Sequence, residues 1–293
     1  AAALEMAGFG GVFEATQQTR IALTGASMRC DLDGTTLAWN ASHILPPGAK
    51  LTIGATVAGN YGYLHIGGGF DQPVRLTAQS THLAAGLGTP IANGMRLRLA
   101  PDPKIDDVGF TLPPGDRSAG TKIRVVPGLQ TPLFSEGERL RFEKTEFARH
   151  MRSNRMGARL VSDGPGFASV AGLSILSEVI VPGDIQMTGD GTPYVLMAEC
   201  QTTGGYPRIG TVIPSDLPHV AQADQSVRMR FEFITLEKAV EIEREANDAL
   251  PRLSRQRRRR IKRPEDLRNL LSHELISGVT CGDDLDPEDA PFV

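Results

Sequence analysis

Cysteine is scarce in this 293-residue chain: three residues, Cys30, Cys200 and Cys281, with no close pair. That excludes a disulfide scaffold and a four-cysteine zinc site, and makes a reducing cytoplasm the expected compartment. Aromatic residues are 5 % of the total, with a single Trp. No apolar run approaches the 18 or so residues a membrane helix needs. Neither sign of charge dominates: 31 basic residues face 34 acidic ones, a formal net charge of −3. A dedicated nucleic-acid binder carries a basic excess that is missing here. The opening stretch Ala1–Gly11 has neither a basic region nor a long apolar run, so no signal peptide is expected. It also lacks an initiator Met, as a fragment would.

An apolar fraction of 40 % is enough for packed cores. Glycine (32) and proline (20) imply many turns. Period-two alternation dominates to about residue 236, as in Met95–Leu99, Lys122–Val125 and Val227–Phe233. Half-buried antiparallel strands read this way. Turn signals at Pro46-Pro47-Gly48, Pro127-Gly128 and Pro182-Gly183 separate them. The chain is therefore expected to be mainly β, with two barrel-like domains, 1–120 and 121–240, divided at the proline-rich loop 100–121.

Beyond residue 235 the composition changes. Thr235–Leu250 is free of Gly and Pro and rich in helix formers. Arg252–Arg263 packs eight basic residues into twelve positions, and an acidic end follows. Local neutralisation, or contact with an acidic partner surface, is the expected role of the run. Pro264-Glu265-Asp266 reads as a second helix start, followed by a Leu267, Leu270, Leu271, Leu275 stripe. Helix is expected mostly in this 241–293 tail.

Several catalytic motifs nearly match and fail. Gly115–Lys122 has the glycine spacing of a phosphate loop but ends Thr-Lys, the wrong order. His273-Glu274 starts a zincin pattern, but Ser277 stands where the second His must be. Gly25–Arg29 lacks the closing Gly of a nucleophile elbow. The six histidines are scattered, and no metal ligand set emerges.

Two stretches carry more information. One runs Gly67–Pro73 and then Gln79–Leu83. The other is Glu199-Cys200-Gln201-Thr202-Thr203-Gly204-Gly205-Tyr206-Pro207-Arg208. A Thr-Thr-Gly-Gly turn after an apolar strand can expose backbone N–H groups and let a ligand or second backbone come close. With the hydroxyls of Thr202, Thr203 and Tyr206 it suits a carboxylate, phosphate or developing oxyanion. A tight hairpin needing glycine only for positive φ accounts for it equally well.

These segments, in order, resemble the KipA-like family, also called allophanate hydrolase subunit 2 or carboxyltransferase subdomain B. The resemblance rests on Leu23-Thr24-Gly25-Ala26, Gly68–Pro73 with Ser80-Thr81, and Val126-Pro127-Gly128-Leu129-Gln130. It extends through Ser153–Leu160, Ser177-Glu178 with Val181–Gln186, and the Gln201–Pro207 signature. It implies two cyclophilin-like β-barrel domains. A T-V-Q-D-x-G-R-like segment usual at the family's start does not occur, which implies a first barrel truncated at its beginning. Gln79 stands where Arg is common, and Glu199 where Asp is common.

The resemblance further implies a subunit of an ATP-dependent 5-oxoprolinase, opening a cyclic amide beside a KipI-like (carboxyltransferase subdomain A) partner and a LamB/YcsF-like subunit. A carboxyltransferase fed by carboxybiotin and acting on a urea-like substrate is the second implied function. A regulator binding a KipI-like kinase inhibitor is the third. No biotin-attachment Met-Lys-Met occurs, so no covalent cofactor is expected, and ATP would be used by the whole complex. The expected catalytic residues are Arg155, Gln201, Thr203 and Tyr206. The expected substrate-binding residues are Asp71, Ser80, Thr81, Glu178, Gln186, Thr202, Gly204, Gly205 and Arg208. Tyr206 reads either as a proton donor or as an anchor of the turn. Asp71 and Glu178 read either as site groups or as strand-end caps.

Overall fold

The computed structural model describes residues 2–83, 85–113 and 122–260. The chain divides into a unit spanning Ala1–Arg258 and a second unit, Arg259–Val293, of which only the first two residues fall within the described range. The helix expected from Pro264 and the acidic end lie outside the described residues, as does the near-phosphate loop up to Thr121.

The first half of the larger unit is an antiparallel sheet. Its strands are β1 (Ala3–Ala7), β2 (Val12–Glu14), β3 (Thr19–Leu32), β4 (Thr35–Thr36), β5 (Ala41–Leu45), β6 (Lys50–Ile66) and β7 (Phe110–Thr111). The spatial order is β1-β6-β3-β5-β7, with β2 also paired to β6 and β4 to β3. The alternation of β3 sends Ile21 and Leu23 into a core shared with Leu51, Ile53 and Leu64. Register shifts between Gly25 and Cys30 interrupt the β3–β6 ladder, and such bulges bend a sheet. Gly25 sits at φ +79°, and a Cβ there would lie 2.5 Å from the Tyr61 carbonyl oxygen and 2.6 Å from the Tyr63 ring.

From Gly67 to Gly109 the chain forms turns and isolated bridges. Met95–Leu99, read above as a strand, pairs only through the Phe70–Leu99 bridge and its flanking hydrogen bonds. Its partner segment is cut short by Pro73 and by a turn at 75–78 that holds Leu76 and Thr77 at positive φ. The loop is tied back to β3 by Arg20, whose Nε and Nη2 donate to the two Asp102 oxygens at 2.8 and 2.9 Å.

The second half is also a curled sheet. It comprises β8 (Lys122–Val126), β9 (Ala148–Arg149), β10 (Gly157–Val161), β12 (Asp184–Met187), β13 (Pro193–Leu196), β15 (Arg208–Val212) and β16 (Arg230–Phe233). The order is β16-β8-β15-β12-β13-β10-β9. A separate two-stranded ribbon pairs β11 (Glu178–Val179) with β14 (Thr203–Gly204). β16 runs parallel to β8, contrary to the antiparallel expectation. More than a hundred residues separate the two strands, so no hairpin constrains their direction.

Helix is not confined to the tail. α1 (Glu136–Lys144) starts at Ser135, whose Oγ accepts from the Glu138 amide, and buries Phe142 among Phe147, Phe167 and Phe231. Its sequence has no apolar stripe, and tertiary packing on one ring holds it. α2 (Leu217–Gln222) and α3 (Leu236–Ala249) follow, the latter within the stretch the sequence read as helix and capped by Thr235, whose side chain accepts from the Lys238 amide. No helix of the described residues is long and apolar enough to cross a membrane. Mainly-β architecture with a short helix near residue 240 is therefore correct.

The two sheets meet through α2. Asn60 Nδ2 donates to the carbonyls of Ala221 and Ala223 at 2.9 and 2.7 Å, and Gln222 Oε1 accepts from the amides of Asn60 and Tyr61. After α3, Arg257 Nη1 pairs with Asp107 at 2.8 Å and lies over the Phe110 ring. Among the described residues of the basic run, Arg257 alone has a carboxylate partner.

Gly25→Ala is expected to lower the unfolding free energy by about 2–4 kcal/mol, combining a left-handed backbone penalty with overpacking against Tyr61 and Tyr63. Thermal and denaturant unfolding measure it, and Gly48→Ala, at positive φ in open space, provides a strain-only control.

Candidate functional site

The Thr-Thr-Gly-Gly segment lies against Glu178–Ile180 as the β11–β14 ribbon. The Ile180 amide donates to the Thr202 carbonyl at 3.1 Å and the Ile175 amide to the Gly205 carbonyl at 2.8 Å. Gly204 and Gly205 are absent from the positive-φ set, so the glycines are not there for turn geometry. They are there for closeness. A Cβ at Gly204 would meet Gln186 Nε2 at 2.5 Å, and one at Gly205 would meet the Ile175 carbonyl at 3.2 Å. Gln186, on β12, is buried beneath this ribbon, and its Nε2 has no hydrogen-bond partner among the described residues. The ribbon leaves fewer free backbone donors than the sequence implied. The side chains of Gln201, Thr202, Thr203 and Tyr206 are exposed and make no hydrogen bond among the described residues.

Beside the ribbon lies a cleft of ≈ 170 Å³ lined by Gly128, Leu129, Gln130, Asp184, Arg208, Gly210 and Thr211. Arg208 organises it. Its Nη2 donates to Glu178 at 2.7 Å, its Nη1 to the Val179 carbonyl at 2.6 Å and to Asp184 at 3.2 Å. Its Nε and backbone amide both reach Gln130 Oε1. Gln130 Nε2 closes the ring on Glu178 at 2.6 Å, and Thr211 Oγ1 donates to Asp184 at 2.6 Å. Three stretches distant in sequence, 126–130, 177–186 and 201–208, thus share one network. Its one guanidinium serves two carboxylates, and its donors are engaged. The Cys200 thiol is pushed up by burial and by nearby Asp184, which disfavours a thiolate nucleophile there.

Arg155 occupies the loop between β9 and β10. Its Nε donates to Glu199 Oε1 at 2.9 Å, and its Nη1 pairs with Glu5 of β1. The Glu199 amide returns a bond to the Arg155 carbonyl at 2.8 Å. The buried Glu199 carboxylate also accepts the Leu83 amide at 3.3 Å. Glu5 Oε2 accepts from Tyr63 Oη at 3.1 Å. Burial, then Glu5, pushes the Tyr63 phenol up to about 12, so it stays a donor.

The structure joins Arg155, through Glu199, to the chain leading into Gln201–Arg208, and joins Glu178 and Gln186 to that same stretch. The 80–83 segment reaches the second sheet at Glu199. Thr81 Oγ1 turns inward to the Thr89 carbonyl, and Ser80 and Asp71 are exposed without side-chain partners among the described residues. Gln79 braces its own loop, donating to the carbonyls of Phe70 and Gln72. The sequence reading passed over Gln130, Asp184 and Glu5. The first two sit inside motifs it quoted, but nothing local marks Glu5.

Glu199→Ala leaves the Leu83 amide without its carboxylate acceptor and Arg155 with one carboxylate instead of two. An unfolding penalty of about 3 kcal/mol is expected, at the low end for breaking a buried pair because Glu5 remains. Faster proteolysis within 80–90 should accompany it. Glu199→Gln, which keeps an acceptor, should recover half or more of the loss in denaturant unfolding.

The profile of the family described as carboxyltransferase domain, subdomain A and B, matches residues 1–233. The C-type subunit of 5-oxoprolinase from Escherichia coli K12 is 32 % identical over 227 residues, covering 75 % of this chain and 71 % of that protein. The subunit of the same name from Haemophilus influenzae is 30 % identical over 245 residues, covering 82 % and 77 %. In fold, the chain is similar to the crystal structure of Kluyveromyces lactis urea carboxylase, with a TM-score of 0.73 at 22 % identity over 89 % of this chain and 26 % of that one. The match over residues 1–233 places the chain in the carboxyltransferase-domain family, subdomains A and B.

Proposed function

We propose that this chain is the C-type subunit of an ATP-dependent 5-oxoprolinase. With a KipI-like partner and a LamB/YcsF-like subunit it would open a cyclic amide to an amino acid. The relatives carrying that name support the reading. The observation that carries it here is the exposed, unengaged donor set of Gln201, Thr202, Thr203 and Tyr206, held on a ribbon over Gln186 beside the Arg208 cleft.

Ring opening adds water across the lactam C–N bond, and negative charge develops on the carbonyl oxygen. Hydroxyl and amide donors fixed near that oxygen stabilise the charge most when they need not reorganise. Thr203 and Gln201 are assigned to it, and Tyr206 is assigned as a donor at the same edge. Thr202, Gly204, Gly205, Glu178 and Gln186 shape the substrate's seat, and Arg208 fixes the ribbon through Glu178. Arg155 holds the segment at Glu199. Asp71 and Ser80 are assigned to the substrate from the neighbouring loop, which Thr81 helps to shape through its bond to the Thr89 carbonyl. ATP is a co-substrate of the complex; with Thr-Lys closing Gly115–Lys122, its handling is assigned to the partner subunits.

Carboxyl transfer from carboxybiotin to a urea-like amide is the second reading, favoured by the family's description and by the likeness to urea carboxylase. The donor set would then face the urea oxygen.

In a complex reconstituted with its partners, Thr203→Ala should lower kcat/KM for 5-oxoproline by roughly a hundredfold, equivalent to about 2–4 kcal/mol, with an unchanged Tm. Wild-type turnover in the variant removes Thr203 from the chemistry. Absence of ATP-dependent 5-oxoproline hydrolysis in the wild-type complex, with carboxybiotin-dependent transfer present, selects the second reading.

A further inference from the structure

The glycine run Gly67–Gly69 has no part in the Arg208 cleft. Gly67 is absent from the positive-φ set, so it is there for space. A Cβ on it would overlap the Asp102 carboxylate and stand 3.0 Å from Arg20 Nε. A Cβ on Gly68, which sits at φ +77°, would meet the carbonyl oxygens of Ala100 and Pro101 at 2.5 and 2.6 Å. The glycines thus let the Arg20–Asp102 pair and the 100–102 segment lie directly on the chain leaving β6.

Beside this contact is a cavity of ≈ 330 Å³. Gln17, Gln18, Arg20 and Asp102 give it a polar lining, and Leu99, Ala100 and Ile105 an apolar one. It shares no lining residue with the Arg208 cleft. At about 30 Å³ per water molecule, it has room for a ligand of roughly ten non-hydrogen atoms.

Its polar groups are not equally free. The Asp102 side chain is 9 % exposed and takes three donors: Arg20 Nε, Arg20 Nη2 and the Lys104 amide at 3.0 Å. These hydrogen bonds hold the Asp102 carboxyl below its ordinary value and Arg20 above its own, so this part of the lining is a fixed ion pair without net charge. Arg20 Nη1 has no partner among the described residues, and neither do the side chains of Gln17 and Gln18. Thr19 Oγ1 donates to the Gln17 carbonyl at 2.9 Å, which steadies the backbone that carries both carboxamides. An anion here would lose to Asp102 much of what it gained from Arg20. A neutral ligand meets no such conflict. Each carboxamide offers an N–H beside a C=O. The amide of a lactam ring is held cis, so its own N–H and C=O share one edge and match a carboxamide through two parallel hydrogen bonds. Its ring carbons suit the apolar lining.

We propose that this cavity is a binding site for a small neutral lactam-type amide, held by the Gln17 and Gln18 carboxamides and by Arg20 Nη1. The site does not rest on the function proposed above, whose residues lie elsewhere.

The test titrates the full chain with 2-pyrrolidinone and follows the backbone amide resonances of Thr19, Gly67 and Ala100. Two further probes share the ring: γ-butyrolactone, which lacks the N–H, and 5-oxoproline, which adds a carboxylate. Saturable shifts at the three amides are expected with 2-pyrrolidinone, at an affinity about threefold or more above either other probe. The double variant Gln17→Ala/Gln18→Ala removes two exposed, unbonded side chains, so it should keep the wild-type Tm and bind about tenfold more weakly. Arg20→Gln should weaken binding as well; because it also breaks the Asp102 pair, the glutamine variant decides if Arg20→Gln loses its thermal transition. Shifts that never saturate, unchanged affinity in the double variant, or equal binding of γ-butyrolactone or 5-oxoproline at these amides overturn the proposal. Each of those results is compatible with intact ATP-dependent 5-oxoproline hydrolysis, so this failure is separable from that of the proposed function.

Discussion

The Glu199 carboxylate is the joint on which the rest of the described arrangement depends. It is buried, it takes the Arg155 guanidinium and the Leu83 amide, and its own amide is bonded back to Arg155. A buried carboxylate left alone would be costly; paired here, it draws three separate segments to one point. Through Arg155 it reaches Glu5 on the first sheet. Through the chain itself it sets where Gln201 begins. The Asn60–Gln222 amide clamp does the parallel work at α2, with backbone groups as partners.

Downstream of that joint, glycine and charge divide the labour. Gly204 lets the ribbon lie directly on Gln186, a contact that any side chain at 204 would block. Arg208 then fastens the ribbon through Glu178 and the sheet through Asp184. The result is a surface whose structural bonds are made from beneath while its hydroxyls face outward unengaged. The backbone that carries those hydroxyls is held by the ribbon's own hydrogen bonds, while the side chains themselves are free to turn.

Two departures from the sequence expectation have the same origin. Met95–Leu99 alternates as a strand should, yet a strand needs a partner, and Pro73 and the 75–78 turn remove it. α1 has no apolar stripe, yet it forms because one phenylalanine, Phe142, completes an aromatic cluster drawn from other segments of the chain. In both cases local pattern lost to what the rest of the chain did or did not supply.

Alternation, turn residues and the Gly- and Pro-free run of helix formers from Thr235 were enough, by themselves, to establish a mainly-β chain with a helix near residue 240, because those signals act within a few residues. The ordered motifs likewise marked the stretches 126–130, 177–186 and 201–208. Only the tertiary structure decided that β16 runs parallel to β8, that Gly204 exists for Gln186 rather than for a turn, and that Glu5 shares Arg155 with Glu199. It alone showed that Arg155 and Arg208 each hold two carboxylates. These facts depend on pairings between residues far apart in the chain, and a charge's partner, unlike its period, leaves no trace in the sequence around it.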